Sequence, residues 1–520
     1  MKRSREVADQ GMTLQVTLAD RADAAPNRLV IYDWFTRVGS PPRAGNDVEV
    51  LVDGEETWAR VFQDLEVAED RVQVATWLMR ADLEMVRPEA LATAEPAERA
   101  SLRFAELAER LAERGVKVRL LIWGGTYTPL LNRWLRRWFW KAPFGIELLE
   151  QDHPRLIGSY HQKTFTIDSR VGYCGGMNVK ENDWDSPAHR VFEPRRNPHK
   201  TGAAFRRAVQ ARQQRTKFPP RHDLSMRIEG PAVHDLEVNF QQRWNQSLRH
   251  QRASLVGRLA NLIRNTLLRR PAHTLMAEPE PRQPEQGDRW VQIVRTTPGG
   301  EEGILDAYKR AIANARKYIY IENQYFRSPI IGEAIARALD RNPRLRLAVV
   351  AWPVADGEVS RDPSGYWTAH THRLIAEKLP DFKLTRLMIH DADAAKAADR
   401  YLQVDVHAKV MVIDDRWLTI GSANINDRGF KFEAEINSVL LDEDDARALR
   451  LRLMAEHLEV PDAEIEEKLG DIDQAFDLWE QHGAENARRK AAGEGPISRV
   501  VHFVQKAPPK PPFNIGQGVF

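Results

Sequence analysis

The stretch His407-Ala408-Lys409-Val410-Met411-Val412-Ile413-Asp414 decides the fold because it has an echo, His161-Gln162-Lys163-Thr164-Phe165-Thr166-Ile167-Asp168. The echo holds its register downstream. Gly175-Gly176-Met177-Asn178 stands as far past His161 as Gly421-Ser422-Ala423-Asn424 stands past His407. Side chains alternate along a strand, so His161, Lys163, Phe165 and Ile167 share a face, and His407, Lys409, Met411 and Ile413 share the corresponding one. Each histidine is thereby set beside a lysine, where an apolar strand gives way to polar residues. Asp168 and Asp414 have the opposite parity and fall where each strand turns back, which suits support more than chemistry. One His-x-Lys on a strand carries little information; two gap-free copies with the same downstream Gly and Asn carry a great deal.

The surrounding pattern is duplicated too. In the first half, residues 48–52 read as a strand, 57–70 as a helix with Trp58, Val61, Phe62, Leu65 and Ala68 on one face, and 71–79 as a strand. A helix over 97–114, stopped by Gly115, leads to a strand over 116–123, and 171–175 pairs with the His161 strand. The second half repeats the order, with helices over 304–315 and 331–339 and strands over 318–321 and 345–352 before the His407 strand. Strands alternating with helices predict an α/β sheet in each half. The histidines are one domain's length apart, which indicates duplication and not a short-period solenoid.

The expected organisation is an N-terminal extension over 1–45 with one short strand at 29–32, and a first domain over 46–270. A Pro/Glu-rich exposed linker over 271–288 follows, then a second domain over 289–456 and a C-terminal helical and Pro-rich tail over 457–520. At 520 residues the chain exceeds one ordinary core. Its 42% hydrophobic and 29% charged residues are those of a soluble globular protein. A formal charge of +2 gives no bulk attraction to nucleic acid or membrane, so any electrostatic recognition is local. The single cysteine, Cys174, excludes an internal disulfide framework and reads as a small buried hydrophobe. Neither a signal-peptide core nor an apolar run of membrane-spanning length is present, so the expected location is cytoplasmic or at a membrane periphery, with signal-independent export left open.

An imidazole beside an ammonium suits an anionic substrate. The lysine binds an oxyanion, and its charge disfavours the protonated imidazole, leaving a nitrogen free to attack. Asn178, Asn424 and Ser422 offer neutral donors. If the halves face each other, two histidines, Lys163, Lys409 and the amides converge on one phosphodiester, with one histidine as nucleophile and the other as general acid. That division requires the histidines to titrate apart, and a carboxylate holding one imidazole would produce it. Glu435 follows the second copy at a suitable distance, and Asp223 is the candidate for the first. No segment has the spacing of a zinc or calcium site, and no cofactor is required when lysines carry the phosphate charge.

These residues resemble the phospholipase D superfamily, whose signature His-x-Lys-x(4)-Asp occurs twice in its single-chain members. The resemblance implies a pseudo-twofold pair of α/β sandwich domains, one shared active site and a phosphohistidine intermediate. It implies catalytic roles for the signature residues His161, Lys163, Asp168, His407, Lys409 and Asp414, with His161 as nucleophile and His407 as acid. Beyond the signatures, Tyr318-Ile319-Tyr320-Ile321-Glu322-Asn323-Gln324-Tyr325-Phe326, Arg221-His222-Asp223, Ile228-Glu229-Gly230-Pro231, Phe240-Gln241-Gln242-Arg243-Trp244-Asn245 and Asp183-Trp184-Asp185-Ser186-Pro187 look like segments of the phosphatidylcholine-type branch. Gly429 departs from the serine usual after Arg428.

The implied activity is hydrolysis of a glycerophospholipid to phosphatidate and headgroup, with transphosphatidylation if an alcohol is accepted. A cardiolipin synthase-like phosphatidyltransferase, a nuclease of the same superfamily and a non-catalytic lipid- or nucleic-acid-binding protein that kept the fold are the alternatives. Phospholipid is the expected partner; nucleic acid is not, and no obligate protein partner is inferred. From Leu130 to Lys141, Leu131, Leu135 and Trp138 recur at helical spacing among Arg133, Arg136, Arg137 and other aromatic residues. This arrangement suits either a lipid headgroup layer or packing on the sheet. Residues 255–270 form a second cationic amphipathic stretch, for which ordinary packing is the expectation. Arg195, Arg196, Lys200, Arg206, Arg207, Arg212, Arg215, Lys217 and Arg221 are expected to form a solvated basic loop.

Overall fold

Fourteen of the strands fall into two sets of seven laid out by the same rule. The structure, a computed structural model, describes residues 5–9, 12–16 and 33–510, other than 125–132, 140, 144, 156–157, 254–272, 280–282, 355–363 and 395–399. The first set is β1 (Arg43–Val52), β2 (Arg71–Thr76), β3 (Lys117–Trp123), β4 (Ile146–Gln151), β5 (Thr164–Ile167), β6 (Val171–Gly175) and β7 (Leu224–Glu229). The second is β8 (Arg289–Thr296), β9 (Tyr318–Asn323), β10 (Arg346–Ala351), β11 (Leu384–His390), β12 (Lys409–Ile413), β13 (Trp417–Gly421) and β14 (Glu435–Leu441). In space they run β1-β7-β6-β5-β2-β3-β4 and β8-β14-β13-β12-β9-β10-β11. The sets join where β1 and β8 pair antiparallel, Asn46 opposite Arg289, so one continuous sheet carries a pseudo-twofold axis between equivalent strands.

The order follows from the connections. Short turns make β5–β6 and β12–β13 antiparallel hairpins, whereas β2–β3 and β9–β10 are parallel and need crossover helices. Those crossovers are α2 (Phe104–Glu113) and, further along the chain, Pro329–Arg341. Helix α1 (Asp53–Glu66) fills the connection before β2 and buries Trp58, Val61, Phe62 and Leu65, the predicted face. After β7, α3 (Val233–Ala253) lies over β2, β3 and β4, burying Phe240, Trp244 and Leu248 against Ala75, Leu121 and Leu149. The second-set helices are α4 (Gly303–Asn314), α5 (Pro329–Arg341), α6 (Ser364–Ala376) and α7 (Glu443–Leu458). Each half has an outer core, and a central core joins Val52, Met226 and Ile228 to Tyr320, Val410 and Ile436. Cys174 lies there, its Sγ 3.7 Å from the Ile436 carbonyl of the other half, and burial pushes its thiol up to about 12.

Three expectations change. In the segment that leads directly into β1, described from Asp33, Trp34 and Phe35 are buried in the second half's core while the Thr36 N–H donates to Gln292. The expected strand at 29–32 lies outside the described residues; a backbone hairpin, Arg5–Asp9 with Met12–Val16, is present upstream. Where described, the Pro/Glu-rich linker is mostly exposed, as expected, but is tied down at its start: Trp244 Nε1 donates to the Thr274 carbonyl at 3.0 Å and Asn245 Nδ2 to that of Met276 at 2.9 Å. The C-terminal region is part of the second half. Helix α8 (Ile472–Ala492) buries Phe476 and Trp479, and Val500–Phe503 pairs antiparallel with β11. That helix reads as polar because only one narrow face is apolar, and its partners are set by tertiary packing.

The basic segment is corrected in part: Lys200, Arg207, Arg212, Arg215 and Lys217 are exposed, as expected, but the other four are not. Arg195, Arg196, Arg206 and Arg221 are buried and paired, with Glu193, Asp185, Glu84 and Asp183 respectively. A buried guanidinium requires such partners, and these carboxylates come from elsewhere in the chain or from spacings that a charge count ignores. Among the described residues of the stretch 130–141, Leu135 and Phe139 are buried in the first outer core, and the Trp138 indole donates to Glu109 at 2.7 Å. Its described apolar residues therefore pack into or against the first outer core. Residues 255–270 lie outside the described residues.

Candidate active site

Each histidine precedes its signature strand on backbone that crosses to the opposite half. The His161 N–H donates to the Ala434 carbonyl and the His407 N–H to that of His222, both at 2.8 Å. Behind them, every residue of β5 and β12 is buried, so the strands are rigid supports. Lys163 and Lys409 each turn back to donate to the carbonyl of the histidine two residues earlier. Gln162, of opposite parity, is buried and donates to the Glu435 carbonyl at 3.0 Å while accepting from Asn239 and Arg243.

The carboxylates are exchanged relative to the expected pairing within each copy. His161 Nδ1 lies 2.9 Å from Glu435 Oε1, and His407 Nδ1 lies 2.7 Å from Asp223 Oδ2. The exchange follows from topology: the segments before the signature strands cross the halves, and β7 and β14 begin at the same edge. Glu435 is fixed in turn by the Ser422 hydroxyl at 2.5 Å, and Asp223 by the Leu224 N–H at 2.9 Å. Gly176 shows how close this packing is, since a Cβ there would fall 2.1 Å from Asp223 Oδ1.

Electrostatics follow from burial. Burial, and then the Lys163 charge, hold the His161 imidazole well below its ordinary range; burial, and then Arg221 and Lys409, do the same for His407. Burial pulls Lys163 down to about 7 and Lys409 to about 8, against the attraction of Glu435 and Asp223. It also raises Glu435 and Asp223 to about 7 each. The expectation that the two histidines titrate apart is corrected: both imidazoles are held by carboxylates, and both are pushed the same way. With Nδ1–H donated to a carboxylate, the neutral form of each ring presents Nε2 as a free base.

Asp168 and Asp414 stand at the far ends of the signature strands. The Asp168 carboxylate accepts from the N–H groups of Glu69, Asp70 and Arg71, and Asp414 from those of Arg316, Lys317 and Tyr318, at 2.6–2.9 Å. Both sit at positive φ, 51° and 58°. In each half the aspartate ties its hairpin turn to the start of the neighbouring strand, so counting them as catalytic is corrected to a structural role. Ser422 is engaged with Glu435, and Asn178 donates through both N–H and Nδ2 to Asp183. The Oδ1 atoms of Asn178 and Asn424 are buried without a partner.

Several residues around the histidines lie outside the two signatures. Arg221 lies 2.9 Å from Asp183 and also pairs with Asp405, and Lys180 is 3.3 Å from Asp183. Trp77 packs edge-on to the His161 ring at 5.8 Å and stacks on Trp123 at 5.7 Å. The only sequence signal for Trp77 is its place just beyond the strand adjoining β5.

A second cluster lies directly behind His407. Asp53, His189, His222 and Glu456 place donor atoms within 4.8 Å of one another, as do His222, Glu322 and His457. His189 Nε2 is 3.4 Å from Asp53 Oδ2 and 3.3 Å from Glu456 Oε1, and neither Nε2 nor Oδ2 has a hydrogen-bond partner. Asp185 and Glu322 hold the other ring nitrogens of His189 and His222 at 2.9 and 2.8 Å. Two imidazoles and two carboxylates so backed could hold a divalent cation. Without one, charge is balanced by protonation: against the effect of burial, Asp53, Asp185 and Glu456 raise His189 to about 9. Sequence spacing did not reveal this set because its members come from four separate segments. No helix among the described residues is long and apolar enough to cross a membrane.

Comparison with known proteins points the same way. The family profile described as Phospholipase D matches residues 152–297, and that described as Cardiolipin synthase, PLD-like domain matches residues 308–454. Phospholipase D A of Dictyostelium discoideum is 25% identical over 477 residues, covering 80% of this chain and 36% of that protein. Phospholipase D alpha 4 of Arabidopsis thaliana is 24% identical over 495 residues, covering 77% and 62%. Major cardiolipin synthase ClsA of Bacillus subtilis is 26% identical over 420 residues, covering 78% and 67%. The chain thus spans well under the full length of both of these phospholipases D.

Proposed function

The chain belongs to the phospholipase D superfamily of phosphodiesterases and phosphatidyltransferases, and from that premise we propose that it cleaves the distal phosphodiester of glycerophospholipids, releasing the headgroup and forming phosphatidate. The observation that carries this reading is the crossed pair, two imidazoles, His407 buried and His161 partly exposed, each backed by a carboxylate of the other half and flanked by a lysine.

His161 Nε2 attacks phosphorus in line while its Nδ1–H stays on Glu435, forming a P–N bond. The P–O bond to the headgroup breaks, and the leaving oxygen takes a proton from His407. Lys163 and Lys409 hold the non-bridging oxygens, and the anionic substrate opposes the burial and the cations that otherwise keep His407 neutral. His407 then removes a proton from water, whose oxygen displaces His161 and yields phosphatidate. An alcohol in place of water yields a transphosphatidylation product.

The test is incubation with phosphatidylcholine, with and without ethanol. Choline, phosphatidate and phosphatidylethanol are expected; cleavage of DNA alone would refute the reading. Acid-labile, base-stable phosphate should be trapped on His161, and labelling that survives His161→Ala would move the nucleophile elsewhere. A second reading is favoured by the profile matched over 308–454: a phosphatidyltransferase that joins two phosphatidylglycerol molecules. Cardiolipin formed from phosphatidylglycerol, with little phosphatidate, would select it.

A further inference from the structure

The pseudo-twofold axis makes each position comparable with one in the other half, and the comparison fails where it bears on substrate. Val74 pairs with Phe165 as Ile321 pairs with Met411, so Trp77 corresponds to Gln324. Thr76 pairs with Ile122 as Asn323 pairs with Ala351, so Trp123 corresponds to Trp352. Beside His161 stand two indoles, stacked within 13° of parallel and partly open to solvent. Beside His407 the first of them is replaced by an amide, whose backbone N–H donates to the Ala408 carbonyl at 3.2 Å.

In-line displacement gives the asymmetry a meaning. The attacking nitrogen and the leaving oxygen occupy opposite apices at phosphorus, and the retained alcohol is equatorial. A wall packed on the edge of the attacking imidazole therefore flanks what stays on the enzyme and is remote from what departs. Stacked indoles present a broad, rigid apolar face, suited to the glyceryl and first acyl carbons of a lipid and not to a sugar or a free anion.

Resting on the phospholipase reading above, we propose that Trp77 and Trp123 form the wall that receives the diacylglyceryl group retained on His161, and so select lipid diesters over hydrophilic ones. The headgroup leaves toward Gln324, away from this wall.

Two substrates with the same leaving group test it: the p-nitrophenyl esters of dihexanoyl phosphatidic acid and of methyl phosphate. The wild-type protein should prefer the lipid ester in kcat/KM. In Trp77→Ala and Trp123→Ala the lipid-to-methyl ratio should fall by about 10- to 100-fold, the discrimination a few apolar contacts supply. Dihexanoylphosphatidylcholine should show the same loss, since only the leaving group differs. The pH profile on the methyl ester should stay in place. Equal losses on both esters, or a shifted profile, would make Trp77 a support for His161 and overturn the proposal. Trp77→Phe keeps a ring and should hold the ratio within about threefold of wild type; if the alanine variants do not fold, Trp77→Gln, copying the other half, replaces them. A wild-type protein that cleaves only the methyl ester would defeat the phospholipase reading itself, a result distinct from an unchanged ratio in active variants.

Discussion

The two halves agree in the signature strands and disagree around them. His161, Lys163, Asp168 and Asn178 have counterparts of the same type at His407, Lys409, Asp414 and Asn424. Just beyond, Lys180 corresponds to Asn426, Asp183 to Gly429, and Arg221 to Glu433. Gly429 has no room for a side chain, because a Cβ would lie 2.8 Å from the Asn424 carbonyl, whereas Asp183 holds Asn178, Lys180 and Arg221. Arg221 bears on His407, while Glu433, paired with Arg428, bears on His161. The paired reactive groups thus sit in unlike surroundings. Such unlike flanks can receive different groups of a diester at the two ends, although the rings themselves are held alike. Asymmetry enters through the flanks and not through the carboxylates behind the rings.

The largest effects should separate the two histidines. With phosphatidylcholine, His161→Ala should lose roughly 10⁴- to 10⁶-fold in kcat and His407→Ala about 10²- to 10⁴-fold. A p-nitrophenol leaving group needs little protonation, so the His407 variant should recover a burst of product and the His161 variant should not. Recovery in the His161 variant instead would exchange the proposed roles.

Next come the crossed carboxylates. Glu435→Gln and Asp223→Asn should each cost about 10²- to 10⁴-fold, the scale of losing the acceptor that fixes a catalytic tautomer. Nitrogen-15 spectra should show Glu435→Gln perturbing His161 and Asp223→Asn perturbing His407. The opposite pattern would restore pairing within each copy.

A smaller effect is read from pH. Glu435, raised to about 7, loses its charge as pH falls, and Lys163, lowered to about 7, loses its charge as pH rises. The kcat/KM profile should therefore be a narrow bell near neutrality. Lys163→Arg keeps its charge at high pH and should move the alkaline limb upward, even where the maximum falls. An alkaline limb that stays in place would assign it to another group, Lys409 first.

The least effect on chemistry should come from the third signature residue. Asp168→Asn and Asp414→Asn each remove a charged acceptor of three backbone N–H groups and should destabilise by about 1–3 kcal/mol in chemical denaturation. The kcat of the folded enzyme should be retained. A selective loss of kcat in one variant would break the structural equivalence of the two turns.

Much of the site was legible from residues alone. His161, Lys163, His407 and Lys409 could be placed on one face because strand parity is local, and Asp168 and Asp414 could be assigned to turns for the same reason. Glu435 and Asp223 were found as candidates but matched to the wrong rings, since nothing local says which strand edge a carboxylate will meet. Trp77, Lys180 and the cluster of Asp53, His189, His222 and Glu456 gave no sequence spacing to read. Arg195, Arg196, Arg206 and Arg221 looked solvated because a count of charges does not show the carboxylates that fold onto them, most of them from outside the segment.

By itself, the sequence determined the duplication, the alternation of strands and helices, and the identity of the reactive pairs, all consequences of periodicity along one chain. Only the tertiary structure decided that the halves share one sheet, that each imidazole leans on the other half's carboxylate, and that the C-terminal helix and strand complete the second half. Those contacts join residues far apart in the chain, and sheet register and buried packing, not local propensity, select them.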